Sequence, residues 1–412
     1  MKIAVVSKST SEGGGASRIA QELVASLRQQ GEEATHWRAW GPLPGPEHSE
    51  PLYGESDKVR KGLKALRFIN AKLGWQEMLP WELPAIKNSG LMDADIIHIH
   101  DITFALSPAT LRWLAARKPV LWTFHDTSPI TGGCINPLDC TEYLRACSGC
   151  PQKRSWPICG VMPMPGMQLK QKRWVGQVPF WVTTPSQWLA DLVTDSHCYD
   201  KANRRVLSNG IDTRIFVPGD RAALRAQLGL DPHKLTLVIS AGNLTDTRKG
   251  IPDALAVVRE VGAQVPVQVI AVGRENPALA EALPGIPVRA TGYLQSPHLL
   301  ALSYAAGDAL VYCSIADNQP LTILENMATG NATYTYAIGG IPEIVGPDTG
   351  LVVPAQEVQQ LSSAIVRDWR SGALKQKGEA AHQLALSDYS LDTMTHEFLA
   401  VYREMLSSAR KE

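Results

Sequence analysis

Ala309-Leu310-Val311-Tyr312-Cys313-Ser314-Ile315-Ala316-Asp317-Asn318-Gln319-Pro320-Leu321-Thr322-Ile323-Leu324-Glu325-Asn326-Met327-Ala328 is a strand, a loop and a helix in succession. Residues 309–313 are a short apolar run, and Pro320, with its fixed φ and missing N–H, marks the first turn of a helix over 320–328. The loop between them places Asp317 before the helix, and Glu325 follows eight residues later inside it. Its repetition decides the fold. Residues 235–241, 267–272, 288–290 and 332–335 also look like strands, with helical segments at 252–262 and 298–305. An earlier series has strand-like runs at 3–7, 95–100, 119–124 and 180–184, and helices at 16–29 and 108–116. Such alternation predicts an α/β protein with parallel sheets covered by helices on both faces.

Two series suit a chain of 412 residues, because single cores stop growing near roughly 250–300 residues. The expected division is a first Rossmann-like domain over 1–195 and a second doubly wound domain over 200–385, with a basic, polar stretch near 195–205 between them. A terminal helical segment, about 388–412, follows the completed second series and is expected to pack on one of the two domains, the first being the candidate. Ligands of doubly wound sheets sit at the carboxyl ends of strands, so a cleft between facing domains is the expected site. The Pro/Gly-rich run 41–51 reads as a surface loop.

Composition narrows the function. With 44% hydrophobic and 19% charged residues, 33 Gly and 28 Pro, the chain is not disordered, collagen-like or coiled-coil. Its 40 cations and 40 acids balance, which excludes bulk nucleic-acid binding. It opens on the strand-like Lys2-Ile3-Ala4-Val5-Val6-Ser7, and no apolar stretch approaches the ~20 residues that span a bilayer. A cytoplasmic protein is expected, at most peripheral on the inner face of the plasma membrane.

Several short elements carry chemistry. Gly13-Gly14-Gly15 separates the first strand from a helix, where glycines allow close backbone approach and a helix N-terminus favours an anion. A plain flexible turn is the alternative. Arg248 and Lys249 lie in the loop 242–250 beside another helix start, suited to a diphosphate or simply solvated. Cys134, Cys140, Cys147 and Cys150, with Cys159 beyond, concentrate thiols that are candidates for a structural zinc or are reduced, partly buried cysteines. Lys58, Arg60, Lys61, Lys64, Arg67 and Lys72 interleave with apolar residues, and no acid falls between Lys58 and Trp75. That stretch suits an anionic membrane surface or a core-facing helix with a solvated face.

The spacing of Asp317 and Glu325, the turn Asn209-Gly210-Ile211-Asp212 with Phe216, the loop Arg248-Lys249-Gly250, and Gly339-Gly340-Ile341-Pro342-Glu343 together resemble family 4 of the retaining glycosyltransferases, which have the GT-B fold. Trp122-Thr123-Phe124-His125-Asp126, followed by Thr131-Gly132-Gly133-Cys134, is similar to members that assemble bacterial surface polysaccharide, including the colanic acid type. The resemblance implies a nucleotide-diphosphate sugar as donor. Lys249 and Arg248 would hold its diphosphate, with backbone N–H groups near Leu321 and Thr322. Glu325 would take the ribose, Asp317 and the neighbouring Asn318 the donor sugar, and His125 would stand beside the anomeric carbon, bordered by Gly13, Gly14 and Gly15. Asp317 replaces the family's usual glutamate, and the family's separate arginine before the lysine is absent. The acceptor implied is a growing, lipid-linked exopolysaccharide or lipopolysaccharide glycan. No D-x-D element follows a strand, so transfer without a catalytic metal is expected. The rival readings are an epimerase-like or phosphorylase-like GT-B enzyme and a non-catalytic sugar-nucleotide-binding protein.

Overall fold

The computed structural model describes residues 1–75, 77–274 and 278–409. It contains two compact units, Met1–Ser208 with Met394–Glu412 (unit 1) and Asn209–Thr393 (unit 2). The last three residues of the predicted terminal segment, 410–412, lie outside the described residues.

Unit 1 is built on β1 (Lys2–Ser7), β2 (Glu33–Arg38), β3 (Ser49–Pro51), β4 (Ile96–Ile99), β5 (Val120–Thr123), β6 (Trp181–Thr184) and β7 (Asn203–Val206). They form one sheet in the order β3-β2-β1-β4-β5-β6-β7, with every pairing parallel. Unit 2 contains β8 (Leu235–Asn243), β9 (Val267–Arg274), β10 (Val288–Gly292), β11 (Ala309–Tyr312), β12 (Ala332–Tyr336) and β13 (Gly350–Val353), in the order β10-β9-β8-β11-β12-β13, also parallel. Helices cover both faces, so the central strands are apolar throughout. In β1 only Lys2 is exposed, and the first seven residues of β8 are all buried.

Strand order reverses between β1 and β4 in unit 1 and between β8 and β11 in unit 2. At such a reversal the connections leave in opposite directions and open a crevice at the carboxyl ends of the strands. The loops after β1, β4, β8 and β11 therefore matter most.

Four strands escaped the sequence reading. β2 alternates buried and half-buried positions in Glu-Ala-Thr-His-Trp-Arg, too polar to register as an apolar run. β3 lies within the expected loop 41–51. β7 is the polar edge strand Asn-Arg-Arg-Val, mostly exposed, so the first sheet runs past the boundary expected at 195. β13 is only four residues, beginning at a glycine.

The terminal helix Leu391–Ala409 places Phe398, Leu399, Tyr402 and Met405 in buried positions. The i, i+4 spacing of Phe398 and Tyr402 puts both rings on one face. Tyr402 hydroxyl lies 2.7 Å from His98 Nδ1, and Thr395 donates to Ser26 at 2.8 Å.

Candidate functional site

In unit 2 the loops after β8 and β11 are stitched together. Ile315 N–H and Ser314 hydroxyl both donate to the carbonyl of Arg248, at 2.9 and 3.1 Å. Gly250 has φ 61°, and a Cβ there would stand 1.7 Å from the carbonyl oxygen of Cys313. Gly339 has φ 58°, and its Cβ would meet the carbonyl of Asp317 at 1.9 Å. Both positions require glycine for conformation and for space. The Gly339-Gly340 element seen in the sequence thus brackets the Asp317 loop, and Gly340 N–H donates to the carbonyl of Asn318.

This framework brings Lys249 and Asp317 into contact. Lys249 Nζ lies 2.9 and 2.8 Å from the two carboxylate oxygens of Asp317, which also accepts from Tyr312 hydroxyl at 2.7 Å and from Ser314 hydroxyl. Burial, and then the neighbouring Asp317 charge, hold the Tyr312 phenol well above its ordinary pKa, so it remains a donor. Arg248 is engaged elsewhere: its Nε and Nη2 reach Asp246, which also caps the turn through Arg248 N–H.

The helix Leu321–Ala328 follows, beginning one residue later than expected, with Pro320 as its N-cap. Leu321 and Thr322 are half-buried at its start, and Glu325 is buried at 2% exposure. Asn209 ties the helix entrance through Gln319, its N–H donating to Gln319 Oε1 at 2.7 Å. Phe216 is fully buried beside Tyr304.

In unit 1 the loops after β1 and β5 carry further predicted residues, and the loop after β4 adds others. Gly13 closes a short turn, Gly14 caps the helix Gly15–Gln29, and Gly14 and Gly15 are exposed. His125 follows β5, half-buried, and its Nε2 lies 2.9 Å from His100 Nδ1. His98, on β4, bridges Tyr402 hydroxyl and Thr123 Oγ1 at 2.7 Å each. Lys8, after β1, pairs with Asp101 at 3.1 Å. Burial lowers the pKa of His125 to about 4, and it lowers His98 and His100 well below the ordinary value. Burial also raises Asp126 to about 6, against the opposing hydrogen bonds from Ser128. His98, His100 and Asp101 were missed as site residues although His98-x-His100-Asp101 closes a predicted strand at the reversal point. Only strand order, invisible in the sequence, singles that strand out.

Cys134, Cys140, Cys147 and Cys150 all line one enclosed cavity of about 10 Å³. That is about one water-sized centre. Cys159 is not among its walls, and all the cysteines are free. Burial pushes the Cys134 and Cys147 thiols up to about 11, which leaves them neutral. Among the described residues no group of three or more His, Cys, Asp or Glu is arranged to hold a metal ion as it stands.

Two parallel doubly wound sheets, each with a polar loop cluster at its reversal point, define the GT-B fold. Residues 13–215 match the family described as Glycosyltransferase Family 4 and residues 236–370 that described as Glycosyl transferases group 1, so the chain carries both glycosyltransferase domains. D-inositol 3-phosphate glycosyltransferase of Mycobacteroides abscessus is 30% identical over 186 residues, 43% of this chain and 41% of that protein. Its namesake in Mycobacterium tuberculosis strain H37Ra is 29% identical over 238 residues, 53% and 48% of the two chains. The chain spans less than half the length of these curated relatives. Sucrose-phosphate synthase from Thermosynechococcus elongatus superposes with a TM-score of 0.70 at 18% identity, covering 99% of both chains. Anabaena HepE in complex with UDP-glucose gives 0.65 at 17% identity, covering 99% of this chain and 100% of that one.

Proposed function

We propose that the protein is a retaining glycosyltransferase that moves a sugar from a nucleotide-diphosphate donor to a lipid-linked glycan of bacterial surface polysaccharide, the colanic acid type included. The observation that carries the reading is Lys249, held by Asp317 at the strand-order reversal of unit 2. In this reading the donor diphosphate displaces Asp317 from Lys249 and is met by the N–H groups of Leu321 and Thr322. Fixed positive charge there stabilises the leaving diphosphate as the glycosidic bond breaks, without a catalytic metal. Asp317 and Asn318 then take the sugar hydroxyls, Glu325 takes the ribose, Arg248 steadies the phosphate loop through Asp246, and Gly13, Gly14 and Gly15 with His125 serve the transferred sugar. The glycosyltransferase family matches and a GT-B neighbour carrying UDP-glucose support this reading over an epimerase or a silent binder. Incubating the protein with a panel of nucleotide sugars and glycan lipids tests it. Transfer with retained anomeric configuration is expected; epimerised donor without acceptor, or binding without turnover, would overturn it.

The acceptor side is read as meeting an anionic membrane through the helix Asp57–Leu73. No helix among the described residues is long and apolar enough to cross a membrane. Phe68 and Ile69 are 61% and 53% exposed on that helix, amid exposed Lys61, Lys64 and Lys72. Val161 and Met162, 80% and 53% exposed, are attached to its end, where their N–H groups donate to the carbonyls of Lys72 and Leu73. Apolar side chains ringed by lysines suit an interface in which each cation adds about 1 kcal/mol. Co-sedimentation with phosphatidylglycerol vesicles, lost in Phe68→Ser/Ile69→Ser, is expected; indifference of the wild type to anionic lipid removes the proposal.

The four cysteines are read as ligands of a structural zinc that draws their thiolates inward across the small cavity they share. Purified protein is expected to contain about one zinc per chain by metal analysis, falling in Cys147→Ser. Metal well below one equivalent without chelation counts against the site.

A further inference from the structure

We propose that His100 is the positioning residue that fixes His125 in the tautomer protonated at Nδ1, so that His125 serves the donor sugar as a neutral hydrogen-bond donor and not as a base. The inference rests on the reading of His125 as the residue beside the transferred sugar. Its observations are independent of that reading.

His100 Nδ1 and His125 Nε2 lie 2.9 Å apart, with the rings inclined by 23° and their centroids 5.1 Å apart. Two neutral imidazoles share one proton across such a contact, so one ring donates and the other accepts. The other nitrogen of His100 decides which. His100 is 2% exposed, and its Nε2 is buried with no hydrogen-bond partner among the described residues. If His125 donated, His100 would carry its proton on Nε2 and bury an N–H with nothing to receive it. If His100 donates from Nδ1, its Nε2 is a bare acceptor, and a buried unpaired acceptor is tolerated more readily than an orphaned N–H. The second arrangement prevails. His125 Nε2 is thereby occupied as an acceptor, and its proton resides on Nδ1.

The packing holds this arrangement in place. His98 lies against His100 with ring centroids 4.2 Å apart, and Phe398 of the terminal helix packs on both rings. His98 is itself fixed at both nitrogens, by Tyr402 and Thr123. The titratable groups facing the pair are His98 on β4, Asp101 after it and His36 on β2; Lys8 and Asp126 face Asp101. Burial opposes a positive charge on either ring, and Asp101, which favours one on His125, is already shared with Lys8. A ring that donates without titrating suits retaining transfer in which a donor phosphate oxygen takes the acceptor proton. The protein then supplies no base, only a donor to the sugar.

Selective ¹⁵N-histidine labelling, with long-range correlation of the ten imidazoles, tests the tautomer directly. Wild-type His125, assigned by its loss in His125→Gln, is expected to show a protonated Nδ1 and a bare Nε2. In His100→Ala the proton is expected to shift towards Nε2; in His100→Asn, whose amide N–H can take the place of the donor, it is expected to stay on Nδ1. Transfer by His100→Ala should fall about 10–100-fold in kcat with KM little changed, as when an orienting partner of a catalytic ring is lost, and His100→Asn should recover part of it. A protonated Nε2 on wild-type His125, or a tautomer indifferent to His100→Ala, overturns the proposal. Full activity of His125→Ala with the tautomer as predicted would instead overturn the role given to His125 in transfer while leaving the His100 contact standing.

Discussion

Lys249→Ala is expected to lower kcat by about 10²–10³, the cost of removing one preformed donor from a developing anion, while leaving the thermal midpoint nearly unchanged. The two effects separate because of where the lysine sits. Its side chain is 29% exposed, and its ion-pair partner among the described residues is Asp317, which keeps Tyr312 and Ser314 as donors after the lysine is gone. An ion pair at that exposure contributes about 1 kcal/mol or less to folding. During transfer the same ammonium faces a diphosphate that gains charge as the glycosidic bond lengthens, and nothing nearby replaces it if Arg248 stays with Asp246. The nucleoside diphosphate product should also bind more weakly to Lys249→Ala. Asp317→Asn should bind that product more tightly than wild type, because the lysine no longer has to leave a carboxylate, yet transfer more slowly. Steady-state kinetics, calorimetric titration with UDP and GDP, and a circular dichroism melt check this; near-normal kcat in Lys249→Ala would sink the assignment.

Unit 1 is expected to lose stability steeply in mild acid. His36 and His125 are held at about 4 against an ordinary 6.5, and His98 and His100 are lowered well below it, in each case chiefly by burial. Between pH 6.5 and 4 the unfolded chain binds protons that the folded one refuses, so this stability is full above 6.5 and drains away as the pH falls. Each of His36 and His125 costs the fold roughly 2 kcal/mol by pH 5. Asp126 opposes the trend. Raised to about 6, it holds its proton in the folded state and favours folding as the pH falls towards 3.8. One aspartate offsets about one of the four histidines. The remainder is a large share of a typical 5–15 kcal/mol. A unit of this size loses about 2–4 °C per kcal/mol, so its melting midpoint should drop by about 10–25 °C between pH 7 and 5. Scanning calorimetry across that range checks it, and His36→Asn should flatten the curve; a midpoint unchanged down to pH 5 contradicts the argument.

The sequence disclosed what repeats and what is apolar. Nine of the thirteen strands among the described residues announced themselves, most of them because central parallel strands are buried on both faces and read as short apolar runs; the edge strand β10 showed only three residues. β2 and β7 did not, because a strand towards or at a sheet edge need not be apolar. The Lys249–Asp317 contact was within reach once the loops after β8 and β11 were known to be neighbours, since the spacing of each motif was visible. What no linear reading provides is the adjacency itself, which comes from strand order. The same limit hid His100. The polar ends of β4 look like any strand terminus until β1 and β5 are placed on either side of it. The contact of Arg248 with both oxygens of Asp246 is likewise a matter of loop geometry that the run of residues does not announce.

The terminal helix bears on how the chain comes to be folded at all. His98 leaves the ribosome 304 residues ahead of Tyr402, its hydroxyl partner, and the whole of unit 2 is made in between. Unit 2 can complete its sheet from contiguous chain, while the earlier unit must wait, with the apolar seat of Phe398 and Tyr402 uncovered, until residues 394–409 emerge. At synthesis rates of about 5–20 residues per second that interval is roughly 15–60 seconds. During that interval the half-finished first unit is the part of the nascent chain most in need of a chaperone.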